Sequence, residues 1–260
     1  MKNIKTIIAI IALTASFSFQ AIAQELTGRE IIEKVYTRPS GDDMTSNLTM
    51  TLINKSGSER VRKIKQFTKE MSDVEKSIMF FQSPADVKNT SFMSWTYDDD
   101  SKSDDQWIYL PAIKKTKRIS SDSKSDSFMG SDFTYDDLGD RKLDADDHKR
   151  LANETIEGIE YYVVESISKD EEYMYSKTKT WIRQDHFIGL KKEFYDEDGE
   201  LFKILKVKKF EEMDGIIVIT NSEMVNTERN HRTSMVLDHV KINTGISASK
   251  FSERMMTRGL

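Results

Sequence analysis

The chain has no cysteine, and only three prolines and eleven glycines among its 260 residues. Without thiols there is no disulfide, no thiolate metal site and no thiol nucleophile, so burial alone must hold the fold. The scarcity of proline and glycine argues against a disordered or linker-rich architecture. Beyond residue 23 no apolar run is long enough to cross a bilayer. There is no G-x-S-x-G, no H-E-x-x-H and no glycine-rich phosphate loop, so hydrolytic, zincin and nucleotide chemistry lack a motif. The four histidines, His148, His186, His231 and His239, are scattered. His231 and His239 fall in one expected strand, but its rise puts them about 26 Å apart, too far to share a metal. The acidic run from Tyr97 to Asp105 has a lysine, Lys102, and no glycine, which does not fit a calcium loop and reads as a solvated charge run. The expectation is a protein that is not an enzyme, with no catalytic residues, no metal and no cofactor.

What is present begins with a leader. "MKNIKTIIAIIALTASFSFQAIAQ" has a basic start at Lys2 and Lys5, an apolar run from Ile7 to Leu13 and a small-x-small site at Ala21-Ile22-Ala23. This is the pattern of a secretory signal peptide over residues 1–23. No cysteine follows to carry a lipid. The expected mature protein is therefore residues 24–260, periplasmic, without a lipid anchor or an integral membrane segment, and folded as a single domain. The full chain carries a net charge of −5, and losing Lys2 and Lys5 makes the remainder more acidic. Such a surface argues against nucleic acid as a partner.

Thr27 to Glu30 fits a capping box, followed by Ile31, Ile32 and Val35 on one helical face. After Arg38-Pro39 the period changes to two. "NLTMTLI", "ERVRKIKQFTKE", "KSIMFFQ", "SFMSWTYD" and "DQWIYLP" read as strands, and the region after His148 reads as a meander with turns at Glu157-Gly158, Asp198-Gly199 and Asp214-Gly215. "SASKFSERMM" reads as a terminal helix with Ser249 as its cap. The expected fold class is mainly β. About eleven antiparallel strands form a half-open, strongly curled barrel, with short helices plugging or covering the concave face. The concave face should be apolar and the convex face charged.

"SDSFMGSDFTYDDLGD" interrupts this pattern. It has neither strand nor helix periodicity, yet it carries Phe128, Met129, Phe133 and Tyr135. The three tryptophans, Trp95, Trp107 and Trp181, fall in expected strands, and thirteen methionines supply adaptable apolar surface. Residue types alone leave two readings of the interior open, a filled core or a cavity that accepts lipid. "KKTKRIS" places Lys114, Lys115, Lys117 and Arg118 together. They read either as a solvated hairpin face or as a contact for an anionic headgroup or acidic partner.

The run "QWIYLP", then "KRI", then "FMGSDFTYDDL", with "SPADVKNTSFMSW" before and "FSERMM" after, resembles the outer membrane lipoprotein-sorting proteins of the LolA-like superfamily. Asn89 stands where that family usually has glycine, and asparagine also tolerates positive φ. The resemblance spans the mature chain and implies a half-open barrel of LolA/LolB type, plugged by short helices, with an apolar interior for acyl chains. It implies a periplasmic carrier or chaperone whose partners are the acyl chains of a lipid or lipoprotein. This branch is similar to proteins found with RND-type (MMPL-like) inner-membrane exporters, which makes such an exporter a candidate partner. The alternative is a non-enzymatic accessory or sensor subunit, its barrel filled, that binds an RND-type transporter or another envelope protein. On the carrier reading the cavity wall would include Leu48, Met50, Leu52, Phe80, Trp95, Trp107 and Tyr109. "SFMGSDFTY" would lie across the open side as a plug, with Phe128, Met129, Phe133 and Tyr135 inward and Gly130 allowing close backbone approach. Thr134 with Asp137 would cap a short turn after it.

Overall fold

The computed structural model describes residues 25–99 and 101–260; the leader assigned to residues 1–23 lies outside them. The first block of sheet comprises β1 (Asp43–Ile53), β2 (Glu59–Met71), β3 (Val74–Ser83), β4 (Ser91–Tyr97), β5 (Asp105–Leu110) and β6 (Lys115–Arg118). Residues 119–145 contain only short 3₁₀ turns. The second block comprises β7 (Asp146–Arg150), β8 (Glu154–Ile156), β9 (Ile159–Ser168), β10 (Lys177–Arg183), β11 (Gly189–Tyr195), β12 (Leu201–Met213), β13 (Ile216–Asn226) and β14 (His231–Ile242).

All fourteen strands belong to one antiparallel sheet, in the order β6-β5-β4-β3-β2-β1-β14-β13-β12-β11-β10-β9-β7, with β8 also on β9. The sheet does not close by strand pairing, since β6 and β7 are its two ends. The expected count of about eleven was too low for two reasons. Strand β6 is "KTKR", whose side chains are largely in water, so it has no hydrophobic signal and exists through backbone pairing with β5. The run "HKRLANETI" splits into β7 and β8.

Pairing register defines two faces. Leu48, Met50 and Leu52 of β1 lie opposite Ile64, Arg62 and Arg60 of β2 and opposite Leu237, Met235 and Thr233 of β14. Ile64 faces Phe81, Gln66 faces Met79, and Met79 faces Phe92. These residues form the inner face, and the first three are buried as the alternation of "NLTMTLI" predicts. Residues 119–145 lie across this face and pack on both β1–β5 and β10–β14, so the sheet curls around them.

Helix α1 (Gly28–Tyr36) covers the rest of the inner face. Thr27 and Glu30 form the reciprocal capping box. Ile31 and Ile32 are buried against Val164 of β9 and Ile182 of β10. Gly28 approaches β7 so closely that a Cβ there would lie 2.6 Å from the His148 carbonyl oxygen.

The outer face of the first block is apolar, not charged. Helix α2 (Glu253–Arg258) lies over it, with Phe251 and Met256 buried against Phe67, Ile78, Phe80 and Met93. Ser91 donates to the Met256 carbonyl at 3.0 Å. The chain reaches this face because Asp43, buried at the start of β1, accepts bonds from the Thr244, Gly245 and Ile246 amides. Burial alone would raise the Asp43 pKa, but these bonds outweigh it and hold the carboxyl below the ordinary range. The N-cap of α2 is Ser252; the side chain of Ser247, not Ser249, caps the 3₁₀ turn before it.

Candidate functional site

The segment across the inner face folds on its own hydrogen bonds. Phe128 N–H donates to the Phe133 carbonyl at 2.7 Å, and Ser127 bridges to Thr134. Between them Met129 and Gly130 both take positive φ, 52° and 74°. Gly130 is therefore needed for its backbone angle. Close approach, the expected reason, is not the cause, because a Cβ there would meet nothing within 4 Å. Thr134 N–H donates to the Asp137 carboxylate at 2.7 Å, and Asp137 N–H donates to the Thr134 hydroxyl at 3.1 Å. This is the cap expected from the sequence.

Two aromatic anchors hold the segment down. Phe128 is fully buried, with ring centroids 6.0 Å from Phe81, 5.1 Å from Phe92 and 5.6 Å from Tyr135. It completes the apolar core on β1–β4. Phe133 is buried on the other side with Tyr175, Phe194 and Met224. Leu138 touches both groups.

Charged and polar anchors surround Phe133. Lys203 of β12 is 1% exposed; its ammonium donates to the Asp137 carboxylate at 2.7 Å and to the Asp132 carbonyl at 3.2 Å. Asp137 also accepts from the Tyr175 hydroxyl at 3.1 Å. Asp132 accepts from the Thr233 hydroxyl at 2.6 Å and lies 2.7 Å from Nδ1 of His231. Arg62 donates to the Met129 carbonyl, and Gln106 to the Tyr135 carbonyl at 2.8 Å. The Tyr173 hydroxyl donates to Asp136. Burial first, then the neighbouring carboxylates, push the Tyr173 and Tyr175 hydroxyls well above the ordinary tyrosine range, so both remain donors.

Small cavities remain beside the segment. One of about 190 Å³ is lined by Tyr36, Asp136, Asp140, Arg141, Tyr173, Lys192 and Phe194 among others. A second, about 180 Å³, lies under α1 and is lined by Ile32, Val35, Tyr36, Arg38, Lys192, Leu205 and Ile219. Ligand pockets for drug-sized molecules are typically about 300–1,000 Å³, so in this conformation the interior is mostly filled. A larger open groove, about 650 Å³, runs along the rim between Asn54, Gly130 and His231. It is mostly polar.

The expected site residues divide into two sets. Leu48, Met50, Leu52, Phe128 and Met129 meet on the inner face of the first block, with Tyr135 beside them and Phe133 on the second block. Phe80, Trp95, Trp107 and Tyr109 lie on the outer face, in the group covered by Phe251, Met255 and Met256. They cannot line the interior. The "MFF" run places Phe80 and Phe81 on opposite faces, and it is Phe81 that points inward. Lys115, Lys117 and Arg118 are exposed on the edge strand β6, next to Lys114 in the preceding turn. Lys203, Tyr173, Tyr175, Lys192 and Thr233 were not anticipated. Lys203 did leave a signal, as a lysine in the otherwise apolar alternate row Leu201, Leu205, Val207.

Among the described residues no group of three or more His, Asp or Glu is placed to hold a metal. No helix there is long and apolar enough to cross a membrane.

Comparisons with known proteins fit this architecture. A family model described as "Uncharacterized protein" matches residues 73–258. A putative outer membrane lipoprotein-sorting protein domain from Vibrio parahaemolyticus is 31% identical with a TM-score of 0.83, covering 89% of this chain and 98% of that one. A DUF1329 family protein from Desulfovibrio piger is 28% identical with a TM-score of 0.83, covering 88% and 97%. The LolA superfamily protein NE2245 from Nitrosomonas europaea, at 20% identity and a TM-score of 0.67 over 88% and 99%, shares the fold. No curated protein matches the sequence.

Proposed function

The chain belongs to the outer membrane lipoprotein-sorting family of the LolA superfamily, and we propose that it is a periplasmic, non-enzymatic carrier that shelters the acyl chain of a lipid or lipoprotein. The observation that carries this reading is the way the inner face is covered. Residues 119–145 cross it without joining the sheet, fastened by side-chain contacts and flanked by cavities. A cover of this kind can shift while the strands stay paired.

The energetics suit a passive carrier. Each methylene removed from water contributes about 0.8 kcal/mol. A chain already in a bilayer gains nothing from that term on entering an apolar cavity. The protein therefore needs an interior only as good as a membrane, and the work of extraction comes from elsewhere. An energised RND-type exporter in the inner membrane is the partner that would supply it.

Native mass spectrometry of protein recovered from a periplasmic extract tests the reading. A stoichiometric copurified lipid supports it. Apo protein, together with no uptake of a fluorescent fatty acid, would count against it. One observation favours a second reading: Phe128 is fully buried in the apolar core over β1–β4. If the interior never opens, the protein is an accessory or sensor module that binds an envelope protein through its surface.

A further inference from the structure

The cavity under α1 combines an apolar floor with two cations; among the described residues Lys192 has no oxygen partner and Arg38 is only partly satisfied. Ile32 and Val35 come from the helix, Leu205 from β12 and Ile219 from β13. Arg38 follows the helix. Its Nε donates to the Val35 carbonyl at 3.2 Å, while its Nη1 is buried with no hydrogen-bond partner among the described residues. Lys192 projects from β11 on the inner face, where it pairs across the ladder with Thr180. Its ammonium lies 5.1 Å from the Phe194 ring centroid. Among the described residues no carboxylate lies within 4 Å of it and no hydrogen bond reaches it. Lys203 and Arg62, which also point inward, have oxygen partners in Asp137 and the Met129 carbonyl; among the described residues Arg38 has one at Nε and none at Nη1, and Lys192 has none.

Lys192 stands at the boundary of two cavities, which share Tyr36, Lys192 and Leu205. The adjoining cavity contains acids, but most are engaged. Asp137 is paired with Lys203, Asp146 with Arg141, and Asp136 accepts from Tyr173. The remaining one, Asp140, has its carboxyl pushed up by burial and by Asp104, toward the neutral form. Burial lowers the Lys192 pKa, against the pull of Asp137 and Asp146. Lys192 is half-buried, and its ammonium, without an oxygen partner among the described residues, lines both cavities, where an anion entering would meet it.

We propose that Lys192 and Arg38 receive the anionic head group of a single-chain amphiphile, a carboxylate or phosphate, whose first methylenes lie against Ile32, Val35, Leu205 and Ile219. This rests on the carrier reading and specifies its ligand class. The space of about 180 Å³ takes the head and the start of the tail; a longer tail requires α1 to lift from β9 and β10. The apolar groups alone would accept any alkyl chain. The two cations select the charged end, because a hydrogen bond to an ionised group is roughly twice as strong as a neutral one.

Calorimetric titration of the mature protein with decanoate and with decanol tests the assignment. Wild type should bind decanoate at least tenfold more tightly than decanol, which is about 1.4 kcal/mol. Lys192→Met should erase that preference and leave decanol binding unchanged. Lys192→Arg, which keeps the charge, should retain the preference, and Arg38→Met should reduce it. Equal binding of acid and alcohol by wild type overturns this inference while the carrier reading stands. No binding of either overturns both. Displacement of decanoate by inorganic phosphate or acetate at matching concentrations reassigns the cations to a free anion and also overturns the proposal.

Discussion

The two halves of the inner face are built on different principles. Over β1–β4 it is dry: Leu48, Met50, Leu52, Ile64, Phe81, Phe92 and Phe128 fill it. Over β9–β13 it is polar and charged: Lys203, Asp137, Tyr173, Tyr175 and Lys192 occupy it, and cavities open there. One segment serves both, sending Phe128 to the first half and Phe133 with Asp137 to the second. The first half holds shape through close apolar packing. The second leaves room, and its polar groups restrict how that room is used. The carrier reading therefore places the ligand on the second half and treats the first as scaffold.

Phe128→Ala probes the scaffold most severely. The ring is fully buried among Phe81, Phe92 and Tyr135, so its loss should lower stability by about 3–5 kcal/mol in urea denaturation. Phe133→Ala, beside a cavity, should cost less, because its surroundings can relax or admit water. Equal costs would remove the distinction between the halves.

Lys203→Met tests the polar fastening. It strands Asp137 in a site where that side chain is 5% exposed. Removing one member of a buried pair typically costs about 3–5 kcal/mol; here Tyr175 and the Thr134 amide still donate to Asp137, so about 3 is expected. Adding Asp137→Leu should restore only part of the loss, because the Thr134 amide and the Tyr175 hydroxyl then lose their acceptor. If Lys203→Met alone melts at the wild-type midpoint, the network is not what fixes the segment.

The sequence made the scaffold legible and the polar half nearly opaque, for a physical reason. Alternation reports which residues leave water, so Leu48, Met50 and Leu52 could be placed by period alone. In fully buried strands the signal fails: both faces of β3 are apolar, and Phe80 could not be told from Phe81 without knowing that α2 covers the outside. Lys192, a polar side chain facing inward, looks like a surface residue to any hydropathy argument, and Lys203 shows only as the break in an apolar row. Tyr173 and Tyr175 sit in a loop whose neighbours are charged. The Thr134–Asp137 cap was legible because its spacing is local. Its partner Lys203, sixty-six residues further on, was not.

A smaller effect concerns the seam between the halves. Glu75 lies on the inner face in the row of Met79 and Phe81. Burial, then Asp140, Glu70 and Asp98, raise its pKa to about 7. A carboxyl with a raised folded-state pKa holds its proton in the fold after the unfolded chain has released it. Its contribution to stability is therefore full below the unfolded value and declines as pH rises through about 7. Discounted for partial exposure, that decline should be about 1–2 kcal/mol between roughly pH 5 and pH 8. Glu75→Gln should flatten it in denaturation midpoints taken across that range. An unchanged slope would mean that the acids of the segment and the sheet do not meet at Glu75.

The smallest stability effect is expected at the free edge of the dry half. Lys114, Lys115, Lys117 and Arg118 sit on and beside β6, with Ile113 half exposed at the tip. Strand β6 is held to β5 by backbone pairing, which side-chain truncation leaves intact. Among the described residues the only ion pair of the four is Arg118 with Asp105, and the arginine is largely in water; exposed pairs typically contribute about 0–1 kcal/mol. Replacing all four by alanine should therefore shift stability by no more than about 1 kcal/mol. If the patch meets an anionic membrane surface or an acidic partner, the same variant should lose cosedimentation with anionic vesicles or capture of that partner, while fatty-acid uptake measured in detergent-free buffer stays at the wild-type level. Loss of uptake would show that the edge and the polar half are coupled, and that the dry half is more than a scaffold.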